Sequence, residues 1–467
     1  MKKLKLFALF LLLPIVLSGC SLLGSGSNIK AEEITLEFWG VFDSSDAYKD
    51  IIAAYQIARP NIKINYKKLR WQEYEQELIN AWAENKGPDI FMVHNTWVGA
   101  YQSKITPLPA KVQVPILVSE GGTFNRKTVT KVLSPKVPTT DQVKQIFVNT
   151  VWQDAVRDGQ TWGLPLSVDT LALYYNRDLL DASGVVEVPT TWEEMTNAVT
   201  QITRQDSEGN IVRSGVAMGG SNNIYRSADI LALLMMQNGT QMVSSSGKVT
   251  FDDSSSYDSK YYPGERALDF YTDFAEPMKE VYTWNSDMPE ATDAFIQGKL
   301  AMLFDYAYDL PYIRAQAPSL NFSVSAMPHI NTDGTDAVPG EGVNLASYWL
   351  LTSAKQTEYI DEVWDFIMFA TMNSYTDSNG QVVFQVENYL DSTSKPPALR
   401  SLLNKYRQKS NMQPFVSQVL SAENWYFGQD FAYAEKIFDQ IISNIITGSM
   451  NIKEALRFAA QAIQNTY

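Results

Sequence analysis

The sequence predicts an α/β protein built on parallel sheet and divided into two lobes. Strand and helix signatures alternate from Ile34 onward, an order that calls for parallel strands covered by helices. About 430 residues follow an apolar leader, and at 45% apolar and 12% aromatic residues they exceed what one hydrophobic core of ~250–300 residues holds. The charge balance adds a constraint on partners. The formal net charge of −14 falls to −17 when Lys2, Lys3 and Lys5 leave with the leader, which disfavours nucleic acid and anionic membrane surfaces.

The leader comes first. Lys2, Lys3 and Lys5 precede an apolar run from Leu6 to Leu17, too short to cross a ~30 Å bilayer as a helix, so residues 1–19 read as a signal peptide. Cys20 is the only cysteine in 467 residues and closes Leu17-Ser18-Gly19-Cys20, which resembles the lipobox of bacterial lipoproteins. That resemblance implies a diacylated Cys20 at the mature N-terminus, a membrane-tethered protein outside the cytoplasm, and no thiol left for disulfides. Residues 20–33 are Gly/Ser-rich and then charged, a composition expected of a flexible spacer.

Beyond the spacer the order is strand, helix, strand, helix, strand. Ile34, Leu36 and Phe38 alternate into Trp39-Gly40; Ser44 or Ser45 caps a helix with Ile51, Ile52 and Tyr55 on one face, stopped at Arg59-Pro60. Ile62, Ile64 and Tyr66 alternate next. Trp71, Tyr74, Leu78 and Trp82 have helical spacing up to Gly87-Pro88, before a short strand from Asp89 to Val93. Parallel sheets bind ligands beyond the carboxyl ends of their strands, which points to the loops after Trp39 and Val93. Lys104 to Val143 has no clear period and reads as irregular surface structure. A buried run from Leu171 to Tyr175 follows Trp162-Gly163-Leu164-Pro165. Thr191 and Glu194 form a capping box, Asp206–Asn210 and Asp377–Gly380 read as hairpin turns, and Asn451 caps the last helix.

This order of signals resembles the extracellular solute-binding proteins of ABC importers, in particular the sugar-binding group that includes maltose-binding protein. The resemblance spans nearly the whole mature chain. Its pieces are Phe38-Trp39-Gly40, Gly87-Pro88-Asp89-Ile90, Trp162-Gly163-Leu164-Pro165 with Leu173-Tyr174-Tyr175-Asn176, Pro189 to Glu194, Phe295 to Met302, and Ile446-Thr447-Gly448 to Leu456. It implies a two-lobed periplasmic-binding-protein fold, each lobe a mixed, mostly parallel sheet flanked by helices, with the ligand in the cleft between them. By the same analogy the chain crosses near Leu171, Leu320 and residue 375. The lobes are then 34–171 with 321–375, and 172–320 with 376–467.

The resemblance also implies candidate ligand contacts. A sugar site needs rings to stack on pyranose faces and planar polar groups for the hydroxyl rim. Trp39 and Asp43 lie at and after the first strand end, although Trp39 also suits a core; Asn95 and Trp97, with His94, follow the Asp89–Val93 strand, where Asn95 also suits an Asx-turn. Asp169 sits at the first crossing as an acidic contact or a strand-end cap. Tyr225 and Arg226, with Asn223, precede an apolar helix that any of them could cap. Asp305, Tyr306 and Tyr308 follow the Phe295–Met302 piece, and Trp425-Tyr426 precedes the penultimate helix; these are the aromatic platforms or interior packing. Asn344 follows a loop expected at the cleft.

The function expected is capture of a carbohydrate and its delivery to an ABC permease by a monomeric, lipid-anchored binding protein without cofactor or metal. A surface glycoside hydrolase needs only two carboxylates and leaves little trace, but there is no G-x-S-x-G elbow, and two histidines with a lipid-committed cysteine make a His/Cys metal site improbable. A non-sugar binder or a sensor on the same fold is the third alternative.

Overall fold

The computed structural model describes residues 31–121, 125–256, 258–330 and 342–467. The expectations for the leader, Cys20 and most of the spacer lie outside them. Strand β1 (Ile34–Val41) runs parallel to β2 (Ile62–Leu69) and to β3 (Ile90–His94), joined by helices α1 (Ser45–Ala58) and α2 (Trp71–Ala83), as the alternation predicts. Leu36, Phe38, Ile51, Tyr55, Tyr74 and Leu78 enter one core. The sheet is completed by Trp349–Ala354, which returns antiparallel to β3 with Trp349 opposite His94, and by Ile105–Thr106 and Leu164–Pro165 on either part of that strand.

The second sheet has the order Arg204–Gln205, Ile211–Val216, Leu300–Asp305, Ala172–Asn176, Phe322–Ser325. Its core collects Leu173, Met195, Leu231, Phe304, Phe438 and Leu456. The capping boxes at Thr191/Glu194 and Asn451/Glu454 both form, and the turns at Asp206–Asn210 and Asp377–Gly380 close short hairpins.

Between the cores lies a three-stranded sheet of Asp169–Thr170, Asn344–Ser347 and Ala422–Glu423. These are the crossings. The first lies at Asp169–Thr170, next to Leu171, and the other two lie elsewhere than the analogy places them. Phe322–Ser325 still pairs within the second sheet, so the chain returns at Leu345/Ala346 instead of near 320. The expected exit near 375 moves to residues 422–425, because Val386, Tyr389, Leu390, Leu402, Leu403 and Tyr406 bury their apolar faces in the first core. The segment read as irregular holds an antiparallel hairpin, Val114–Glu120 with Lys127–Leu133. Its inward residues Val114 and Ile116 are buried, whereas the second strand is mostly exposed, which is why no period showed.

Candidate functional site

A cleft opens where the first sheet's carboxyl edge meets the second lobe. It is lined from the first lobe by Phe42, Asp43, Trp71, His94, Trp97 and Trp349. The second lobe contributes Tyr225, Arg226, Asp229, Tyr308, Trp425 and Glu435. Topology explains the first set. Parallel β1 and β3 end side by side, so the loops after Val41 and His94 face one opening, and the antiparallel partner of β3 begins there with Trp349.

Aromatic rings dominate the first-lobe wall. Trp97 stacks on Tyr101 at 5.6 Å and on Trp71 at 5.2 Å, and Trp71 stacks on Phe42 at 5.8 Å. Trp349 meets Trp71, Trp97 and Phe42 edge-on at 5.3–5.9 Å between ring centroids. Phe42 then stacks on Tyr308 of the opposite lobe at 6.0 Å, and Tyr308 on Tyr306 at 6.0 Å. His94 faces Phe431 across the cleft at 6.3 Å.

The polar groups are held from behind. Lys395 Nζ donates to both Asp43 carboxylate oxygens at 2.7 and 2.8 Å, and the Tyr389 hydroxyl donates to Oδ2 at 2.8 Å. Arg226 pairs with Asp305 at 2.9 Å and Asp309 at 3.1 Å, donates to the Tyr308 hydroxyl, and lies 4.5 Å from the Tyr225 ring centroid. Asp169 accepts from the backbone N–H groups of Thr170, Ala307 and Tyr308 at 2.8–3.1 Å, which ties the first crossing to the loop that presents Tyr308. Burial nonetheless pushes Asp169 up to about 7, those three donors opposing it. Burial, with Asp229 beside it, pushes Glu435 up to about 8. His94 goes the other way, down to about 3, through burial and the nearby Arg226, so it is neutral; its Nδ1 and Nε2 lie 2.8 and 3.2 Å from the Thr96 and Ser347 hydroxyls.

Of the residues proposed from sequence, Asp43, Trp97, Asp169, Tyr225, Arg226, Tyr308 and Trp425 line this cleft, and buried Asp305 stands behind Arg226. Four others stand away from it. Trp39 is 8% exposed in the first core, with Lys67 Nζ 4.3 Å from its ring centroid. Asn95 is fully buried and donates to Asp154 and the Ala346 carbonyl while accepting from the Tyr348 N–H. Asn344 donates to the Leu171 carbonyl and Gln418 Oε1 inside the crossing sheet. Tyr426 is buried, and its hydroxyl donates to Thr466 Oγ1. In each case a strand-end or crossing position demands hydrogen bonds or packing where solvent cannot reach. Asn223 likewise donates to the Asn285 and Met288 carbonyls.

Sequence reasoning missed Phe42, Trp71, Trp349, Asp229, Lys395 and Glu435. Trp71 carried a signal that was misread. It fits the helical stripe of Tyr74, Leu78 and Trp82, but as the first residue of α2 it projects past the core. Among the described residues no group of His, Cys, Asp and Glu could hold a metal ion, and no helix is long and apolar enough to cross a membrane.

Comparison with known proteins agrees with this architecture. The sequence profile of the bacterial extracellular solute-binding proteins matches residues 42–376. A Brucella abortus protein named as a binding protein is 22% identical over 358 residues, 75% of this chain and 76% of its own length. The diacetylchitobiose binding protein DasA of Streptomyces coelicolor is 23% identical over 169 residues, 36% of this chain and 34% of its own. Among solved structures, the cyclic alpha-maltosyl-1,6-maltose binding protein of Arthrobacter globiformis superposes with a TM-score of 0.69 at 16% identity, covering 93% of this chain and 98% of that one. The cycloalternan-bound substrate-binding protein of Listeria monocytogenes gives 0.66 at 14%, covering 92% and 98%. These likenesses establish the two-lobed fold, and the profile match over residues 42–376 establishes that the chain belongs to the bacterial extracellular solute-binding protein family.

Proposed function

We propose that this protein captures a carbohydrate between its lobes and delivers it to an ABC importer, as a monomer tethered to the membrane through a diacylated Cys20. The observation that carries the reading is the pairing of an indole-rich wall with fixed charged groups in one interlobe cleft. Pyranose rings have apolar faces that stack on Trp71, Trp97, Trp349, Tyr308 and Trp425, while their hydroxyls donate to Asp43, Asp169, Asp229 and Glu435 and accept from Arg226. These acids meet hydroxyl donors well whether charged or protonated. Structural relatives solved with maltotetraose and with cycloalternan, and relatives named as binders of cyclic alpha-maltosyl-1,6-maltose and of diacetylchitobiose, point to the same ligand class. The family is one of binding proteins, so the sugar is expected to leave the cleft unchanged. Ligand contacts made to both lobes at once favour the closed arrangement and couple capture to delivery.

The test is a thermal-shift screen of residues 31–467 against mono- and oligosaccharides, with polyamines and dipeptides as controls. A ligand at 100 times its Kd stabilises by ~2.7 kcal/mol. A response confined to sugars, with the sugar recovered intact, supports the proposal; responses to polyamines or dipeptides alone overturn it, and a cleaved sugar turns it into a hydrolase. The anchor is checked separately by mass spectrometry of the N-terminal peptide from membranes, with a Cys20→Ala chain released to the medium.

A further inference from the structure

We propose that Trp71 and Tyr308 form a ring clamp across the mouth of the cleft, that Phe42 is its built-in occupant, and that a ligand longer than the inner cleft binds by displacing it. Six rings make one continuous stack, Tyr101, Trp97, Trp71, Phe42, Tyr308 and Tyr306, with neighbouring centroids 5.2–6.0 Å apart and interplanar angles between 10° and 27°. The first four come from one lobe and the last two from the other. Phe42 is therefore the ring at which the stack crosses from lobe to lobe.

Two further features set Phe42 apart. Its φ is +61°, a left-handed conformation that a bulky side chain adopts only under strain, and such strain concentrates at binding clamps and switches. It is also 45% exposed despite being aromatic. The backbone is pinned in place on both sides: Lys68 Nζ donates to the Phe42 carbonyl, and the Asp43 N–H donates back to the Val41 carbonyl at 2.7 Å. The loop thus pushes the ring into the cleft at a conformational cost.

Position gives this device a use. Phe42 lines both the inner cleft, with His94, Trp97 and Trp425, and an outer groove reached past Arg70, Asp293, Asp309 and Tyr312. A pyranose ring offers two broad faces to flanking aromatic rings, as Phe42 does, so a sugar unit can take its place between Trp71 and Tyr308. Turning the Phe42 side chain out of the clamp gives up its two ring contacts, leaves the pinned backbone as it is, and exposes two ring faces that a sugar unit covers again. Exchange is then nearly balanced, and the added sugar's own contacts decide it. The clamp becomes a further carbohydrate subsite that selects for ligand length, resting on the carbohydrate reading above.

The experiment compares wild type with Phe42→Gly and Phe42→Asn, both of which tolerate positive φ, and with Phe42→Tyr, which keeps a ring. Calorimetry uses malto-, cello- and chito-oligosaccharides of one to six units. The glycine and asparagine variants are expected to raise affinity for the longer members at least fivefold relative to the shortest that binds, with Phe42→Tyr unchanged. An equal change at every length overturns the gate while leaving the carbohydrate reading intact. If no sugar binds any of the four proteins, the carbohydrate reading fails and the gate is decided by acrylamide quenching. The fluorescence removed by Trp71→Phe should be quenched at least twice as strongly in Phe42→Gly as in wild type, and equal quenching overturns the occupant role.

Discussion

Replacing Asp154 with asparagine tests how the crossings are held. Asp154 is fully buried, and its Oδ2 accepts from the Tyr348 hydroxyl at 2.6 Å, Asn95 Nδ2 at 3.1 Å and the Thr150 hydroxyl at 3.3 Å, while Oδ1 accepts from Asn424 Nδ2 at 3.1 Å. One carboxylate thus joins the first lobe to the second crossing at Tyr348 and the third at Asn424. Burial pushes it up to about 6, the donors offsetting part of that. Its unfolded value is ~3.9. The folded state therefore binds a proton more tightly, so stability from this group is greatest below pH ~4 and is lost as pH rises through about 6. At pH 4.5, linkage with those two values gives a gain of about 2 kcal/mol over pH 7.5. Asparagine cannot titrate. At pH 7.5 Asp154→Asn escapes the buried charge but turns an amide donor toward Asn424, two effects of ~1–3 kcal/mol that oppose each other. At pH 4.5 wild type keeps its neutral, hydrogen-bonded acid and the variant gains nothing. Urea melts at the two pH values should show the variant less stable relative to wild type by about 2 kcal/mol more at pH 4.5 than at 7.5. A difference that is the same at both values, or larger at 7.5, refutes the account.

Three other substitutions probe the packing and the cleft. Arg59 holds buried Asp365 through two bonds at 2.8 and 3.0 Å, so Arg59→Ala leaves a buried carboxylate with the Tyr55 hydroxyl as its remaining donor and should cost about 3 kcal/mol in denaturant melts. A Cβ at Gly264 would stand 2.2 Å from the Phe251 carbonyl oxygen, backbone that cannot swing aside; Gly264→Ala should lower the Tm clearly, by strain of ~1–3 kcal/mol, and an unchanged Tm contradicts the packing there. Trp349→Ala removes the ring that meets Trp71, Trp97 and Phe42, and calorimetry should find sugar affinity at least ~10-fold weaker, with a fully folded far-UV spectrum.

Local order was legible where local chemistry decides it. Thr191 and Asn451 announce their helices because a cap needs only the next three residues, and β1 through β3 follow from alternation and helical spacing. Asp43, Trp97 and Tyr308 could be placed at the cleft from sequence because they stand just past strand ends that face the opening. Asn95, Asn344 and Tyr426 stand in similar places but do not line the cleft. They serve the crossings, where three short strands leave the main sheets and their buried polar groups need side-chain partners from far along the chain, Asp154 and Gln418 among them. Trp349 has no local signal at all: antiparallel pairing across more than two hundred residues sets it beside His94. The later crossings were misplaced for the same reason, since nothing near residue 375 reveals that Tyr389 and Leu402 pack into the first core.

This division of labour says which contacts yield when the lobes part. The crossings are locked by hydrogen bonds to a buried carboxylate and by amide bridges such as Asn344 to Gln418 at 2.7 Å, each costing ~1–3 kcal/mol to leave unmade. Across the cleft, by contrast, the lobes touch through ring contacts such as Phe42 on Tyr308 and His94 on Phe431, worth ~0.5–1.5 kcal/mol beyond burial. Rings separated by opening also regain water without leaving a buried donor or acceptor unpaired. Opening should therefore proceed by rotation about an intact crossing sheet, with the aromatic stack breaking at Phe42, and a ligand that bridges Trp71 and Tyr308 acts at the point of least resistance to hold the lobes together.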